Sequence, residues 1–230
     1  IYYKRLIKFS AFYFSQAEYN KSLELNSQGL RICEILYGDK HKEYANQLSN
    51  VASDYLRIGN ISKSIELTQQ CLKIRELLFG KEHPLFASGL SQLALCFSEN
   101  GEHTKSRDLD LEALQIRERL YGKKHELYAL SLGKLAGDYS NLGDKKKSLE
   151  LYMQCLEIEG QALGKNHPSY VLTLNNIAVV YADLGNFTKS MELNLECLKM
   201  NEILYGKGHP DYAMSLINLA RCYSSKGDYQ

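Results

Sequence analysis

Residues 164–205 read GKNHPSYVLTLNNIAVVYADLGNFTKSMELNLECLKMNEILY, and the same pattern begins again at Gly206. Three columns of residues in this pattern recur every 42 positions without an insertion or deletion. They are Gly38, Gly80, Gly122, Gly164 and Gly206; His41, His83, His125, His167 and His209; and Gly59, Gly101, Gly143, Gly185 and Gly227. A fixed period of roughly 20 to 50 residues is the signature of a repeat protein. The chain is therefore predicted to stack copies of one small unit.

Each unit is predicted to be a pair of helices. Residues 44–58 and 62–79 both carry apolar side chains at helical spacing, for example Leu48, Val51 and Ala52 in the first run. Gly59 and Gly80 follow these two runs, where a left-handed cap would end a helix. A proline suits the entry to the next first helix, because it has a fixed φ and no N–H. These prolines are Pro84, Pro168 and Pro210.

Repeated apolar columns indicate which faces are buried. They comprise Leu48, Leu90, Leu132, Leu174 and Leu216; Ala52, Ala94, Ala136, Ala178 and Ala220; and the aromatic residues Tyr13, Tyr55, Phe97, Tyr139, Tyr181 and Tyr223. We therefore expect an all-α fold, a right-handed solenoid of stacked antiparallel hairpins with about 11 helices. One solenoid segment is predicted over 1–230, with a first helix 1–17, a second helix 18–37, further units starting near 44, 86, 128 and 170, and a lone first helix 212–226. No polar caps are evident, so a piece of a longer protein is expected.

Composition excludes several classes of protein. Lys and Arg total 28 against 27 Asp and Glu, a balance that does not favour nucleic acid as a partner. No apolar run approaches the roughly 18 residues of a membrane span, and the segment after Lys4, Arg5 and Lys8 is too short for a signal peptide. The six cysteines show no CxxC pair, which favours free thiols in the cytoplasm. Cys71, Cys155 and Cys197 share a column with Gly29 and Ala113 and are interpreted as small core residues.

No catalytic, metal or cofactor site is expected from the sequence. A solenoid keeps the five column histidines apart, whereas zinc needs ligands that converge on one point. His103 has no metal-binding context, and no P-loop or nucleophile elbow occurs. The serine that follows a lysine in each unit is attributed to packing rather than to phosphorylation. These serines are Ser22, Ser64, Ser106, Ser148 and Ser190.

The segment 174–178 (LNNIA), with Tyr181, Gly185 and the later LYGKGHP at 204–210, resembles the tetratricopeptide repeats of kinesin light chains. The long second helix and the Gly-Lys-x-His-Pro loop match that 42-residue subfamily, which also occurs in nephrocystin-like proteins and in sensor proteins with further domains. The resemblance covers nearly the whole chain. It implies a solenoid that binds proteins and not a particular cellular role.

The resemblance also implies a peptide groove along the first helices, where carboxamides grip the backbone of an extended peptide. Such a group offers both a donor and an acceptor. The corresponding residues are Asn50, Gln92, Lys134, Asn176 and Asn218, with Asn175 in the neighbouring column and Arg57 and Arg221 on the same face. Asn176 and Asn218 are expected to be exposed. Glu99 and Asp183 oppose the basic residues, so no preference for acidic peptides is expected. Gly133 and Gly137 would leave a gap in the floor, either for a bulky partner residue or through drift.

Three functions remain open at this point. The first is a scaffold that binds a linear peptide or partner helix in the concave groove. The second is a regulatory segment that packs against its own longer chain until a ligand releases it. The third is a structural spacer in a large assembly. In each of them the partner is a protein, intramolecular or not, rather than nucleic acid or a membrane.

Overall fold

The computed structural model describes residues 2–226, and the chain forms two compact units, Ile1–Leu120 and Tyr121–Gln230. The helices of the first unit are α1 (Tyr2–Ser15), α2 (Tyr19–Tyr37), α3 (Lys42–Ile58), α4 (Ile61–Phe79), α5 (Pro84–Glu99) and α6 (His103–Tyr121). Those of the second are α7 (Glu126–Asn141), α8 (Lys145–Ala162), α9 (Pro168–Asp183), α10 (Phe187–Tyr205) and α11 (Pro210–Lys226). The predicted number of helices is thus found within the described residues.

Within each unit the helices pack as a stack of hairpins. In the first unit α3 lies against both α2 and α4, and α5 lies against α4. In the second unit α9 lies against α8 and α10, and α11 lies against α10. A first helix therefore contacts the second helix of its own hairpin and that of the preceding hairpin, as a repeat stack requires.

The histidine column begins each first helix, a role that the sequence analysis missed. The Nδ1 atom of His41, His83, His125, His167 and His209 accepts a hydrogen bond of 3.1 to 3.2 Å from the backbone N–H two residues later. This is the action of an N-cap, which satisfies a donor that the helix leaves unpaired. Because the histidine is the cap, these helices start at Lys42, Pro84, Glu126, Pro168 and Pro210, two residues earlier than predicted.

Most of these histidines also stack on the last aromatic residue of the preceding helix. Tyr37, Phe79, Tyr121 and Tyr205 lie with ring centroids 4.3 to 4.7 Å from His41, His83, His125 and His209. At the fourth repeat the corresponding residue is Leu163, so His167 caps α9 without an aromatic partner. The loop that joins one hairpin to the next is therefore stabilised by a histidine N-cap and, in four of five copies, by stacking of the histidine on an aromatic ring.

The two glycine columns end helices in different ways. Gly59 has φ 90° and ψ 6°, the left-handed cap that was predicted. Gly80 has φ 77° but ψ 173°, an extended conformation of positive φ that essentially only glycine adopts. Ala17 occupies the Gly59 position of the first hairpin with φ 58°, and α1 ends at Ser15, two residues before the predicted end. Gly227 lies outside the described residues.

The predicted leucine and alanine columns are buried where a hairpin is complete, whereas the aromatic column is only half-buried there, at Tyr13, Tyr55, Phe97, Tyr139 and Tyr181. Leu48, Leu90, Leu132 and Leu174 are at most 3% exposed, and Ala52, Ala94, Ala136 and Ala178 are fully buried. Leu216 in α11 is 43% exposed and Ala220 is also exposed, since α11 packs chiefly against α10. The prediction that the leucine and alanine columns are buried throughout is therefore wrong at α11.

The small polar columns are packed inside, as predicted. All five serines of the Lys-Ser column are at most 1% exposed, and the Ser64 hydroxyl donates to the Ala52 carbonyl at 2.7 Å. All six cysteines are free and buried. Burial raises the pKa of Cys155 and of Cys197 to about 12, so these thiols stay protonated. Both observations support a packing role for the two columns.

The histidine caps give a matched stability test. His83→Ala should lose the cap of α5 and the stack on Phe79, whereas His167→Ala should lose only the cap of α9. We expect a cap to contribute about 1 kcal/mol to the free energy of unfolding and the ring stack about 0.5 to 1.5 kcal/mol more. Urea denaturation followed by circular dichroism measures both. Equal losses in the two variants would show that the stack contributes nothing.

Candidate functional site

The residues predicted to line the groove differ in how accessible they are. Asn50, Arg57 and Arg221 are exposed, and Gln92, Lys134, Asn175 and Asn176 are half-buried. Asn218 is only 8% exposed. The expectation that Asn218 is exposed is therefore wrong, and its amide is not a free surface group.

Two carboxamides of the predicted groove bond to the adjacent repeat instead of facing outward. The Gln92 amide donates to the Ser49 carbonyl at 2.8 Å and accepts from the Ser49 hydroxyl at 2.5 Å. The Asn218 amide donates to Asn175 Oδ1 at 2.9 Å. Ser49 and Asn175 share one repeat column, and Gln92 and Asn218 share the other, so the same clasp joins neighbouring first helices in both units. Each clasp joins the first helices of two neighbouring hairpins and so restrains how one hairpin can shift against the next.

The amides of Asn50 and Asn176 remain available. Asn50 makes one long hydrogen bond, 3.4 Å from its Nδ2 to Gln47 Oε1 on its own helix. Asn176 makes no side-chain hydrogen bond within the described residues. Among the predicted carboxamides these two are the ones that can meet a peptide backbone without breaking a contact of the fold.

Two cavities of similar composition lie at repeat-equivalent places. The α1–α3 pocket, of about 320 Å³, is formed by α1, α2 and α3; the α9–α11 pocket, of about 150 Å³, is formed by α9, α10 and α11. Positions four repeats apart line both: Ser22 and Ser190, Asn26 and Asn194, Asn50 and Asn218, and Ser53 and Arg221. The predicted residues Asn50, Asn218 and Arg221 thus belong to these pockets. Arg57, Gln92, Lys134, Asn175 and Asn176 do not line either one.

A buried polar pair lies behind the α1–α3 pocket. Asn26 donates from Nδ2 to Asp54 Oδ2 at 2.7 Å and to the Ser22 hydroxyl at 3.3 Å. Asn26 is 5% exposed and Asp54 is fully buried, yet Asn26 Oδ1 and Asp54 Oδ1 have no hydrogen-bond partner. Burial raises the pKa of the Asp54 carboxyl, while the hydrogen bonds from Asn26 and Ser22 oppose this shift. Asn26, which lines the pocket, and Asp54, which lies behind Asn26, therefore each carry an acceptor atom that lacks a donor.

The α9–α11 pocket has an asparagine, Asn194, at the position equivalent to Asn26, but its charged residues differ from those of the α1–α3 pocket. Asn194 donates from Nδ2 to the Ser190 hydroxyl at 3.3 Å and points toward Cys222 Sγ at 3.7 Å, and its Oδ1 has no partner. Cys222 here replaces Asp54, and Arg221 replaces Ser53. Asp183, which also lines this pocket, pairs with Lys145 Nζ at 2.6 Å. Arg221 is therefore the charge of this pocket that remains without an opposite partner among the described residues.

The gap expected at Gly133 and Gly137 is filled from within the chain. A Cβ at Gly137 would lie 3.4 Å from the Tyr152 hydroxyl, and one at Gly133 would lie 3.5 Å from Cys155 Sγ. Tyr152 stands in the column that holds Asn26 and Asn194 elsewhere, and it is buried. Gly137 thus makes room for a larger neighbour, so this part of the second unit offers no socket for a partner.

Sequence reasoning missed Asn26, Asn194 and Asp54. They lie on buried faces of α2, α10 and α3, in columns that the sequence analysis did not single out. The signal that could have identified them is a mixture of polar and apolar residues in one repeat column: Thr68, Asp110 and Tyr152 share the column of Asn26, and Cys96, Asp138 and Val180 share that of Asp54.

Comparison with known proteins identifies the class. A tetratricopeptide repeat family profile matches residues 6–84, 85–160 and 169–230. The chain belongs to the tetratricopeptide repeat family, and the predicted all-α solenoid of helical hairpins is confirmed. A search of curated proteins finds no match. No helix within residues 2–226 combines the length and the apolar character that crossing a membrane requires.

Several solved structures share this fold. One is a Podosopora anserina protein described as a kinesin light chain with nearly identical TPR-like repeats, with a TM-score of 0.72 at 21% identity over 86% of this chain and 94% of that one. Another is BtubC (BKLC) from P. vanneervenii, with a TM-score of 0.73 at 19% identity over 100% of this chain and 86% of that one. A Rap protein complexed with competence and sporulation factor has a TM-score of 0.74 at 17% identity over 96% of this chain and 63% of that one. These similarities confirm a kinesin light chain-like solenoid fold.

The clasp between repeats predicts a contrast between two asparagines. Asn218→Ala should lower the free energy of unfolding by about 1 kcal/mol, because it removes a hydrogen bond of a buried amide. Asn176→Ala should change it by less than about 0.5 kcal/mol, since the amide has no partner to lose. Thermal and urea unfolding of the single variants measures both values. Equal losses would argue against the clasp.

Removal of the buried Asp54 carboxyl should stabilise the fold, by an amount that depends on pH. Because the folded state raises the pKa of Asp54, ionisation of Asp54 destabilises the fold, and this penalty grows as pH rises through the raised value. Asp54→Asn should therefore raise the free energy of unfolding by about 1 kcal/mol at pH 7, with a smaller gain at pH 4. Urea denaturation of both proteins across this range tests it. A gain that does not change with pH would contradict the assignment.

Proposed function

We propose that this chain is a non-catalytic scaffold that binds a linear segment of a partner protein along its first helices, in the manner of a kinesin light chain-like adaptor. The observation that carries the proposal is the set of hydrogen-bonding groups left without partners on one side of the hairpins. Asn50 and Asn176 offer available amides, and the pockets beside Asn26 and Asn194 hold buried acceptors that lack donors. A fold rarely leaves such groups buried and unpaired unless a ligand or water completes them.

An extended peptide is the ligand that fits these groups. Its backbone presents a donor and an acceptor at every residue, which is what a carboxamide bonds irrespective of side chain. Each such bond contributes about 0.5 to 1.5 kcal/mol, so side chains that enter pockets must supply the remaining affinity. The Rap protein structure with competence and sporulation factor shows a protein of the same fold in complex with a ligand, which supports the choice.

The proposed cellular setting is the cytoplasm. All six thiols are buried and free, which suits a reducing compartment. The proposed partner is a protein or peptide, in trans or within a longer chain of which this segment forms part.

A selection of binders from a random peptide library displayed on phage tests the function. The affinity of the enriched peptide, measured by fluorescence anisotropy, should fall about tenfold or more, roughly 1.4 kcal/mol, in the double variant Asn50→Ala, Asn176→Ala. Thermal stability should hardly change, because neither amide makes a strong bond within the fold.

The matched control is the double variant Gln70→Ala, Gln154→Ala. These carboxamides are also exposed and also share one repeat column, but they lie on the second helices α4 and α8. Binding should be unchanged in this variant. If the control variant loses affinity and the groove variant does not, the peptide binds to the second helices. That result would favour the structural spacer, bound from its outer face.

A further inference from the structure

We infer that the α1–α3 pocket receives a positively charged side chain, lysine or arginine, of the bound peptide. This inference rests on the proposed peptide-binding function and names the chemistry of one pocket within it. It depends on the acceptors that the pocket holds, on the shape of its lining, and on the contrast with the equivalent pocket of the second unit.

The acceptors define what the ligand must offer. Asp54 Oδ2 accepts from Asn26 Nδ2, and Asn26 Oδ1, on a residue that lines the pocket, is left without a partner. A carboxylate that accepts from one end of an amide polarises it and makes the oxygen at the other end a stronger acceptor. A hydrogen-bond donor is therefore required, and a charged donor gains more than a neutral one.

The charge of the buried carboxyl has no compensation from the protein. Among the described residues no basic side chain contributes to the shift in the pKa of Asp54, and the groups that act on it are Asn26 and Ser22. Ionisation of a buried carboxyl that lacks a cation is costly, so a cation supplied by a ligand would gain its own hydrogen bonds and would also favour the ionised form of Asp54.

The lining suits a long basic side chain. None of the residues that line the α1–α3 pocket carries a charge, so no cation repels the ligand and no second anion competes with Asp54. Ile7, Ala11 and Phe14 provide apolar walls for the methylene groups, and the hydroxyls of Ser10 and Ser53 lie among the polar groups of the pocket. A volume of about 320 Å³ leaves room for such a side chain.

The α9–α11 pocket provides an internal comparison. It keeps the serine and both asparagines, but Cys222 takes the place of Asp54 and Arg221 takes the place of Ser53. Its volume is about 150 Å³, less than half that of the α1–α3 pocket. Arg221 would repel a basic side chain, so the preference for a cation belongs to the α1–α3 pocket alone.

The test is a double-mutant cycle between Asp54 and the peptide. The selection against the wild-type chain should enrich a peptide with one fixed lysine or arginine. Replacing that residue by norleucine, for lysine, or citrulline, for arginine, removes the charge at similar size. On the wild-type chain this replacement should weaken binding about tenfold; on Asp54→Asn, where the partner charge is absent, it should weaken binding less than about threefold. Thermal unfolding of Asp54→Asn verifies that the variant is folded.

The matched control is Asn194→Ala in the α9–α11 pocket. There the replacement of the basic residue should still cost about tenfold, because the α1–α3 pocket is intact. Enriched peptides without a basic position, or an equal cost on the wild-type chain and on Asp54→Asn, would overturn the inference and leave the peptide-binding function standing. A library that yields no binder would overturn both.

Discussion

The packing of each first helix between two second helices is the constraint on which the rest of the structure depends. A single hairpin exposes one apolar face, and only its neighbour can cover that face. Ala52, Ala94, Ala136 and Ala178 are fully buried and the serine column nearly so, because these small side chains let the helices approach closely. The strict spacing of 42 residues follows, since an insertion in one unit would displace these columns from their partners in the next. At α11, which packs chiefly against α10, the equivalent leucine is 43% exposed.

Two buried columns vary in residue type from one hairpin to the next, and this variation makes the hairpins differ in their pockets. The column of Asn26 also contains Thr68, Asp110, Tyr152 and Asn194, and the column of Asp54 also contains Cys96, Asp138, Val180 and Cys222. Where Tyr152 is large, the facing Gly137 is small, and the space is filled. Where Asn26 and Asn194 are shorter, pockets remain. The same arrangement of helices is therefore filled with side chains in one hairpin and leaves a polar cavity in another, depending on which residues occupy these columns.

The fold could be predicted from the sequence because its signals repeat. Five copies of the glycines, the histidines and the apolar columns gave the helices to within two residues, and the error at the starts of α3, α5, α7, α9 and α11 came from the N-cap role of the histidines. The site is less accessible to sequence reasoning. Asn50 and Asn176 were proposed from the family resemblance, and the pairing of Asn218 with Asn175 depends on a contact between neighbouring first helices that no local pattern reports. Buried polar residues such as Asp54 were not singled out, because burial of a polar group is decided by tertiary packing.

The presence of a carboxyl at position 54 is better explained by binding than by stability. The same column holds Cys96, Val180 and Cys222 in three other hairpins and a second acid, Asp138, in the fourth, all of them buried, so the packing of the repeat tolerates an acid there but does not require one. Burial raises the pKa of Asp54, which means that the ionised form is disfavoured by the folded state. A residue that lowers stability and can be replaced without loss of packing is expected where a partner makes use of it. Since a ligand that binds only the folded chain stabilises it in proportion to its affinity, a cation at this pocket would offset the cost that Asp54 imposes on the free protein.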